Sequence, residues 1–316
     1  MLPLVDLALV PFVAIGSSPL KTYRYLGSKK LPLCTASLRK IGVFPICDHY
    51  YEPLFNDVHL KKSLGAKRNL PGINFRRDEQ VKLLDCLTCQ NDFEEFLKGQ
   101  LNVHPSGGFA FENRQFVAGD AEFLFNFVRH TKPQNVIEIG YGTSAKLISA
   151  LLDLNMKEVG ERARHVCIEP CEQPWLERFS NIELVREKVE DADSELFKSL
   201  GSNDLLFIDS PHMIRPQGDV LYEYLDVLPM FNERVFVHAY DIFTPCDYPE
   251  VWVKDKVLFC IEQYLLEAVL SKNSSFNIVA ALNYLKHEEF DSLKRVYPCL
   301  NQDKEPGSFY FQALKR

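Results

Sequence analysis

Two short stretches place side chains together that could do chemistry. Asp209-Ser210-Pro211-His212 closes one apolar run, and His238-Ala239-Tyr240-Asp241 closes the next. A pair of carboxylates with imidazoles nearby has two uses. It can hold a hard divalent cation such as Mg²⁺ through Asp209 and Asp241, with water and substrate oxygens completing the shell. The ion would lower the pKa of a bound hydroxyl and align it. Without a metal, His212 or His238 would serve as general base, because imidazole titrates near neutral pH. A third stretch, Val136-Ile137-Glu138-Ile139-Gly140-Tyr141-Gly142-Thr143-Ser144, is of another kind. Its two glycines let the backbone turn tightly and a ligand approach closely. Glu169 ends the following apolar run, and its two carboxylate oxygens could accept both hydroxyls of a ribose.

The elements that position these residues follow from periodicity. The β-branched run before Gly140 reads as a strand buried on both faces. Leu147, Ile148, Leu151 and Leu152 then recur at helical spacing over 143–154. Strand, glycine turn and helix open a nucleotide-binding α/β unit. Gly140-x-Gly142-x-x-Ala145 fits a dinucleotide fingerprint, so an NAD-linked oxidoreductase is one reading. Glu138 favours another, since a carboxylate beside a pyrophosphate is repelled and suits a ligand with a positive amino group, such as S-adenosylmethionine. Further strands are expected at 164–168, 182–185, 205–208, 234–238, 276–280 and 308–314. Helices are expected at 121–130 (capped by Asp120), 174–179, 219–232, 257–270 and 288–296. Strands alternating with helices imply a mostly parallel sheet with right-handed crossovers.

The chain has 316 residues, 46% hydrophobic and 25% charged, with a formal net charge of −7. That balance is ordinary for a globular protein and leaves no basic footprint for nucleic acid. Nine scattered cysteines suit reduced thiols in an intracellular, cytoplasmic setting, and Cys86-x-x-Cys89 lacks a second pair at zinc spacing. The first twenty residues are apolar, but Pro3, Asp6 and Pro11 make the run too short and broken for a membrane span. A helix packed on its own domain is expected, with weak contact of residues 1–30 to a membrane surface as the sharper reading. The aromatic cluster His49-Tyr50-Tyr51 could line an acceptor pocket or anchor a loop.

Taken together, Glu138-x-Gly140-x-Gly142, Asp209-Ser-Pro-His212 with Asp219, and His238-x-x-Asp241 resemble a family of bacterial class I S-adenosylmethionine-dependent methyltransferases. That family accompanies polysaccharide and antibiotic biosynthesis. The run from Asp241 to Pro249, Trp252, Glu262-Gln-Tyr-Leu-Leu266 and His49-Tyr-Tyr-Glu-Pro53 are similar to it as well, so the resemblance covers the chain from about residue 40 onward. It implies a doubly wound seven-stranded sheet, mostly parallel with an antiparallel last strand, in residues 116–316. Residues 1–115 would form an accessory cap. It implies that Glu138, Gly140, Gly142, Ser144, Glu169, Val189, Glu190 and Asp209 hold S-adenosylmethionine, with adenine against the Val189-Glu190 turn. Asp209, His212, His238 and Asp241 would be catalytic or metal positions, and Tyr240 stands where a second histidine is expected. The implied reaction is O-methylation of a sugar or other small hydroxylated acceptor. An adenosyl-binding module without catalysis is the remaining alternative.

Overall fold

The computed structural model describes residues 2–47, 59–87, 89–100, 116, 119–140, 142–172 and 174–315. His49, Tyr50 and Tyr51 lie outside the described residues. The chain divides into two compact units, Met1–Ser63 and Leu64–Arg316, so the boundary expected at 115/116 falls inside the second. Residues 64–86 pack within that second unit. The Ala281 amide donates to the Gln80 side chain at 2.8 Å, and Arg68 donates to Glu267 at 2.7 Å.

Among the described residues there are seven strands, all in the second unit: β1 Asn135–Ile139, β2 Arg164–Ile168, β3 Glu183–Val185, β4 Leu205–Ile208, β5 Phe236–Ala239, β6 Phe276–Ala281 and β7 Phe309–Ala313. They form one sheet in the order β3-β2-β1-β4-β5-β7-β6. Only β7 runs against its neighbours, inserted between β5 and β6. This is the doubly wound, mostly parallel sheet expected from the sequence.

The central strands read as unbroken apolar runs because both their faces are covered. Leu205 and Phe207 of β4 point into a core shared with the helices Asp120–Thr131 and Thr143–Val159. Leu206 and Ile208 point the other way, toward Val220, Tyr224 and Val227. Alternation along each strand thus feeds two cores.

Two local differences matter for the site. The helix expected from Val257 begins at Glu262 instead. Val257 has φ 52°, a left-handed value costly for a β-branched residue, and the amides of Ile261 and Glu262 bond the His212 carbonyl at 2.9 and 3.3 Å. Asp120 is not the cap of its helix; Gly119 is, and Asp120 is the first helical residue, which frees its carboxylate for other partners.

The first unit holds a continuous helix, Leu2–Leu26, 25 residues long with Pro11 and Pro19 inside it. It is neither short nor broken, and only its C-terminal end packs on its own unit. Among its residues only Tyr23 is buried. The Tyr23 hydroxyl hydrogen-bonds Thr35 at 2.7 Å, joining the helix end to the helix Pro32–Ile41.

Candidate active site

The sheet's hydrogen bonding continues one residue past the strands. The amides of Gly140, Glu169, Asp209 and Tyr240 bond Ile168, Val185, Ile139 and Ile208 carbonyls at 2.9–3.1 Å. These four residues therefore stand in a row along the carboxyl edge. Strand order reverses between β1 and β4, which opens a crevice at that edge. A cavity of about 380 Å³ lies there, lined among others by Gly140, Glu169, Val189, Glu190, Asp209 and His212. Hollows of about 340 and 460 Å³ open at strand starts instead, around Asn135 and Arg164 and around Phe276, and hold none of these residues.

Gly140 has φ 78°, and a Cβ there would lie 2.2 Å from the Asp209 carbonyl oxygen. Only glycine fits this conformation so close to a neighbouring backbone. Glu169 steadies the turn after β2 by accepting the Cys171 amide at 2.7 Å.

On the β4–β5 side, Asp209, His212 and Asp241 converge. The His212 Nε2 lies 3.3 Å from Asp241 and 3.9 Å from Asp209, while Nδ1 meets the fully buried Glu262 at 2.7 Å. Glu262 also accepts the Tyr224 hydroxyl at 2.7 Å. His212 and Asp241 both hold left-handed backbones, φ 59° and 57°. Non-glycine residues keep such angles only where their surroundings fix them, which is commonest at functional sites. Burial works against a charged His212, but its bonds to Asp241 and Glu262 outweigh it and hold the ring protonated well above the usual imidazole range. Burial, reinforced by Asp241, raises the Asp209 carboxyl to about 7. Phe243 and Trp252 stand beside this group, 5.6 Å apart, with Tyr248 stacked on Trp252 at 6.2 Å.

His238 is not brought to the site, contrary to its expected catalytic role. Its ring is fully buried, stacked on Tyr310 at 4.0 Å and edge-on to Phe207 at 4.3 Å, with neither nitrogen hydrogen-bonded. Burial pushes its pKa well below the usual value, so it is a neutral core residue. Strand alternation explains this: Ala239 separates it from the carboxyl edge, and Asp241 is three residues on.

Glu138 and Ser144 are buried and outside the cavity lining. Glu138 Oε1 meets His165 Nε2 at 2.5 Å, while Oε2 and the Ser144 hydroxyl have no protein partner. Gly142 borders the site, with an added Cβ 3.9 Å from Asp209 Oδ2. Two further side chains take roles that the sequence does not assign them. Glu262 belongs to a run similar to the family, and the helix expected over 257–270 would put it inside that helix rather than at its start. Asp120, buried at the start of its helix, accepts the Ser308 amide at 2.9 Å and the Gly307 amide at 3.3 Å. Gly307 in turn lies against Asp241 and accepts the Ile242 amide at 2.8 Å.

Asp120 yields a pH test. Burial raises its carboxyl to about 7, against about 3.9 in an unfolded chain. The folded state then binds this proton more tightly, so the contribution to stability is complete below about pH 4 and is lost as pH rises through 7. Asp120→Asn does not titrate and should gain on the wild type across that window, by up to about 4 kcal/mol. Urea unfolding of both proteins at pH 5 and 8 measures the gap; a gap independent of pH would contradict the buried acid.

No family model matches the chain. An uncharacterized protein of Archaeoglobus fulgidus is 26% identical over 177 residues, spanning 52% of this chain and 77% of the relative. Among solved structures, the plantazolicin methyltransferase BamL, in complex with a triazolic desmethylPZN analog and SAH, superposes with a TM-score of 0.40. It is 11% identical and covers 77% of this chain and 100% of its own. An O-methyltransferase from Bacillus cereus in complex with SAH gives 0.36 at 13% identity, covering 70% and 90%.

Proposed function

We propose that the second unit binds S-adenosylmethionine at the carboxyl edge of β1–β4 and methylates a hydroxyl of a sugar or other small hydroxylated acceptor. One observation carries this reading: the cavity at the sheet's switch point has a ribose-type acid, Glu169, on one wall and the Asp209–His212 end of the acidic cluster on the other. The residues present fit the donor. Gly140 lines the cavity as backbone without a side chain, and two residues before it Glu138 Oε2 is a buried carboxylate oxygen without a protein partner. Glu169 would take the ribose hydroxyls, and the Val189-Glu190 turn would face the adenine. The inserted antiparallel β7 argues against the dinucleotide-binding alternative, whose sheet lacks it.

The donor supplies an electrophilic methyl group on a sulfonium. The chain's part is positioning and proton transfer. Asp209, poised near 7, is the group placed to take the acceptor hydroxyl's proton, because His212 already carries one. Asp241 and Glu262 fix the imidazole on both nitrogens. Trp252, part-exposed with its ring 6.5 Å from that of His212, offers an apolar face on which a sugar ring packs.

A second reading is favoured by one observation. Ligand atoms of Asp209, His212 and Asp241 all lie within 4.8 Å of one another, and Glu262 holds the far nitrogen of the imidazole. That carboxylate–histidine arrangement is typical behind a bound metal. A divalent cation such as Mg²⁺ would then be held by these three and activate the hydroxyl directly.

Calorimetric titration with S-adenosylhomocysteine and with NAD, each with and without Mg²⁺, tests all three points. S-adenosylhomocysteine should bind saturably, and Glu169→Ala should weaken it at least about tenfold, since the ribose hydroxyls lose their charged acceptor. Affinity or turnover that rises with Mg²⁺ and falls with chelator favours the metal. NAD binding with no response to S-adenosylhomocysteine would overturn the methyltransferase reading.

A further inference from the structure

We infer that the helix Leu2–Leu26 is inserted in a lipid bilayer and holds the chain at the cytoplasmic face of a membrane. The inference stands apart from the donor and the reaction. Leu2, Leu7, Phe12 and Ile15 are each more than 70% exposed, and the most apolar 18-residue window of the helix has no buried residue at all. These side chains look out in every direction around the helix, since positions 2, 7, 12 and 15 are spread over its turns at 100° per residue. A helix lying in the interface would show one apolar and one charged face; this one has a single charge, Asp6, before Lys21. Its length matches the other arrangement. At 1.5 Å per residue, 25 residues span about 37 Å, against about 30 Å of hydrocarbon.

The polar atoms of the helix are suited to that environment. The Ser17 hydroxyl donates to the Val13 carbonyl at 2.6 Å, and Thr22 donates to Ser18 at 3.1 Å, so both are satisfied within the helix. Charge then gives the direction. Lys21, Arg24, Lys29, Lys30, Arg39 and Lys40 follow the apolar stretch, and no acid interrupts them between Asp6 and Asp48. Cations beside a membrane helix stay on the cytoplasmic side and are drawn to anionic lipid. The helix Pro32–Ile41 bears two of them, with Leu33 and Ile41 exposed beside them. Among the described residues no second helix is long and apolar enough to carry the chain back across. The sheet and its cavity therefore follow the cations on the cytoplasmic side.

The test uses the full chain, made in cells, and a Leu9→Lys/Val13→Lys variant. Both side chains are more than half exposed, so the substitutions leave the packed second unit untouched. Wild type should sediment with membranes, resist salt and alkaline carbonate, dissolve only in detergent, and float with vesicles of neutral phosphatidylcholine. The variant should shift at least about tenfold toward the soluble fraction while still binding S-adenosylhomocysteine as the wild type does. Proteolysis of sealed vesicles should remove the second unit only from the cytoplasmic side. Release of wild type by salt alone overturns insertion, as does a soluble oligomer that ignores vesicles, or a mature chain cleaved after the apolar stretch. Loss of S-adenosylhomocysteine binding in both proteins would bear on the proposed function and leave the partitioning result intact.

Discussion

Asp209→Asn combined with Asp241→Asn should lower methyl transfer by about 10²- to 10⁴-fold, the range associated with one general acid–base step. S-adenosylhomocysteine should still bind within a few-fold of wild type. Asparagine keeps the size and the hydrogen-bonding oxygen at both positions but removes the proton acceptor and both negative charges. In the proposed reading the donor's adenosine is held by other groups, Glu169 and the Val189-Glu190 turn, so its affinity reports folding and site integrity independently. His212 would lose both aspartate charges and keep Glu262. The measurement pairs transfer of a labelled methyl group to hydroxylated acceptors, simple glycosides first, with calorimetric titration of the same samples. Turnover within threefold of wild type would remove both aspartates from catalysis. Affinity lost together with turnover would place them in the donor site instead.

The sheet was legible because its strands are buried on both sides and its breaks fall at glycine and acid. Runs such as Val136–Ile139 and Leu205–Ile208 suit a central parallel strand, and the Gly140 and Asp209 that follow them stand at the edge where the cavity lies. The antiparallel β7 followed from the resemblance and is present. His238 misled for a reason periodicity contains: a strand turns alternate residues to opposite faces, and a chemically attractive imidazole on the wrong face becomes core. Glu262 stood out only as part of a run similar to the family, and its role was illegible because it depends on a contact 50 residues away in the chain, to the ring of His212. The left-handed angles of His212 and Asp241 are likewise a product of tertiary packing: His and Asp adopt φ above zero more often than most residues, but the sequence does not say at which positions. Leu2–Leu26 failed in the opposite sense. Pro3, Asp6 and Pro11 read as breaks, but all three lie within one continuous helix.

Gly140 and Gly142 look equivalent in sequence, and the structure predicts that they differ sharply. Gly140→Ala should destabilise the second unit by about 2–4 kcal/mol and reduce S-adenosylhomocysteine affinity more than about a hundredfold. Its methyl group would sit 2.2 Å from the Asp209 carbonyl oxygen and 3.0 Å from the carbonyl carbon, on a backbone at φ 78°. Neither atom belongs to a flexible side chain, so β1 and β4 must separate or the Asp209 backbone must move, and either displaces the aspartate from the cavity. Gly142 has φ −159°, an extended value open to any residue, and its nearest neighbour would be Asp209 Oδ2 at 3.9 Å. Gly142→Ala should therefore unfold within about 1 kcal/mol of wild type. Any affinity it loses comes from the ligand's approach to that turn rather than from the fold. Urea unfolding and calorimetry on the two variants separate these effects. A Gly140→Ala protein as stable as wild type would mean that the close approach of Asp209 to β1 does not exist in solution, and with it would go the geometry that joins the glycine turn to the acidic cluster.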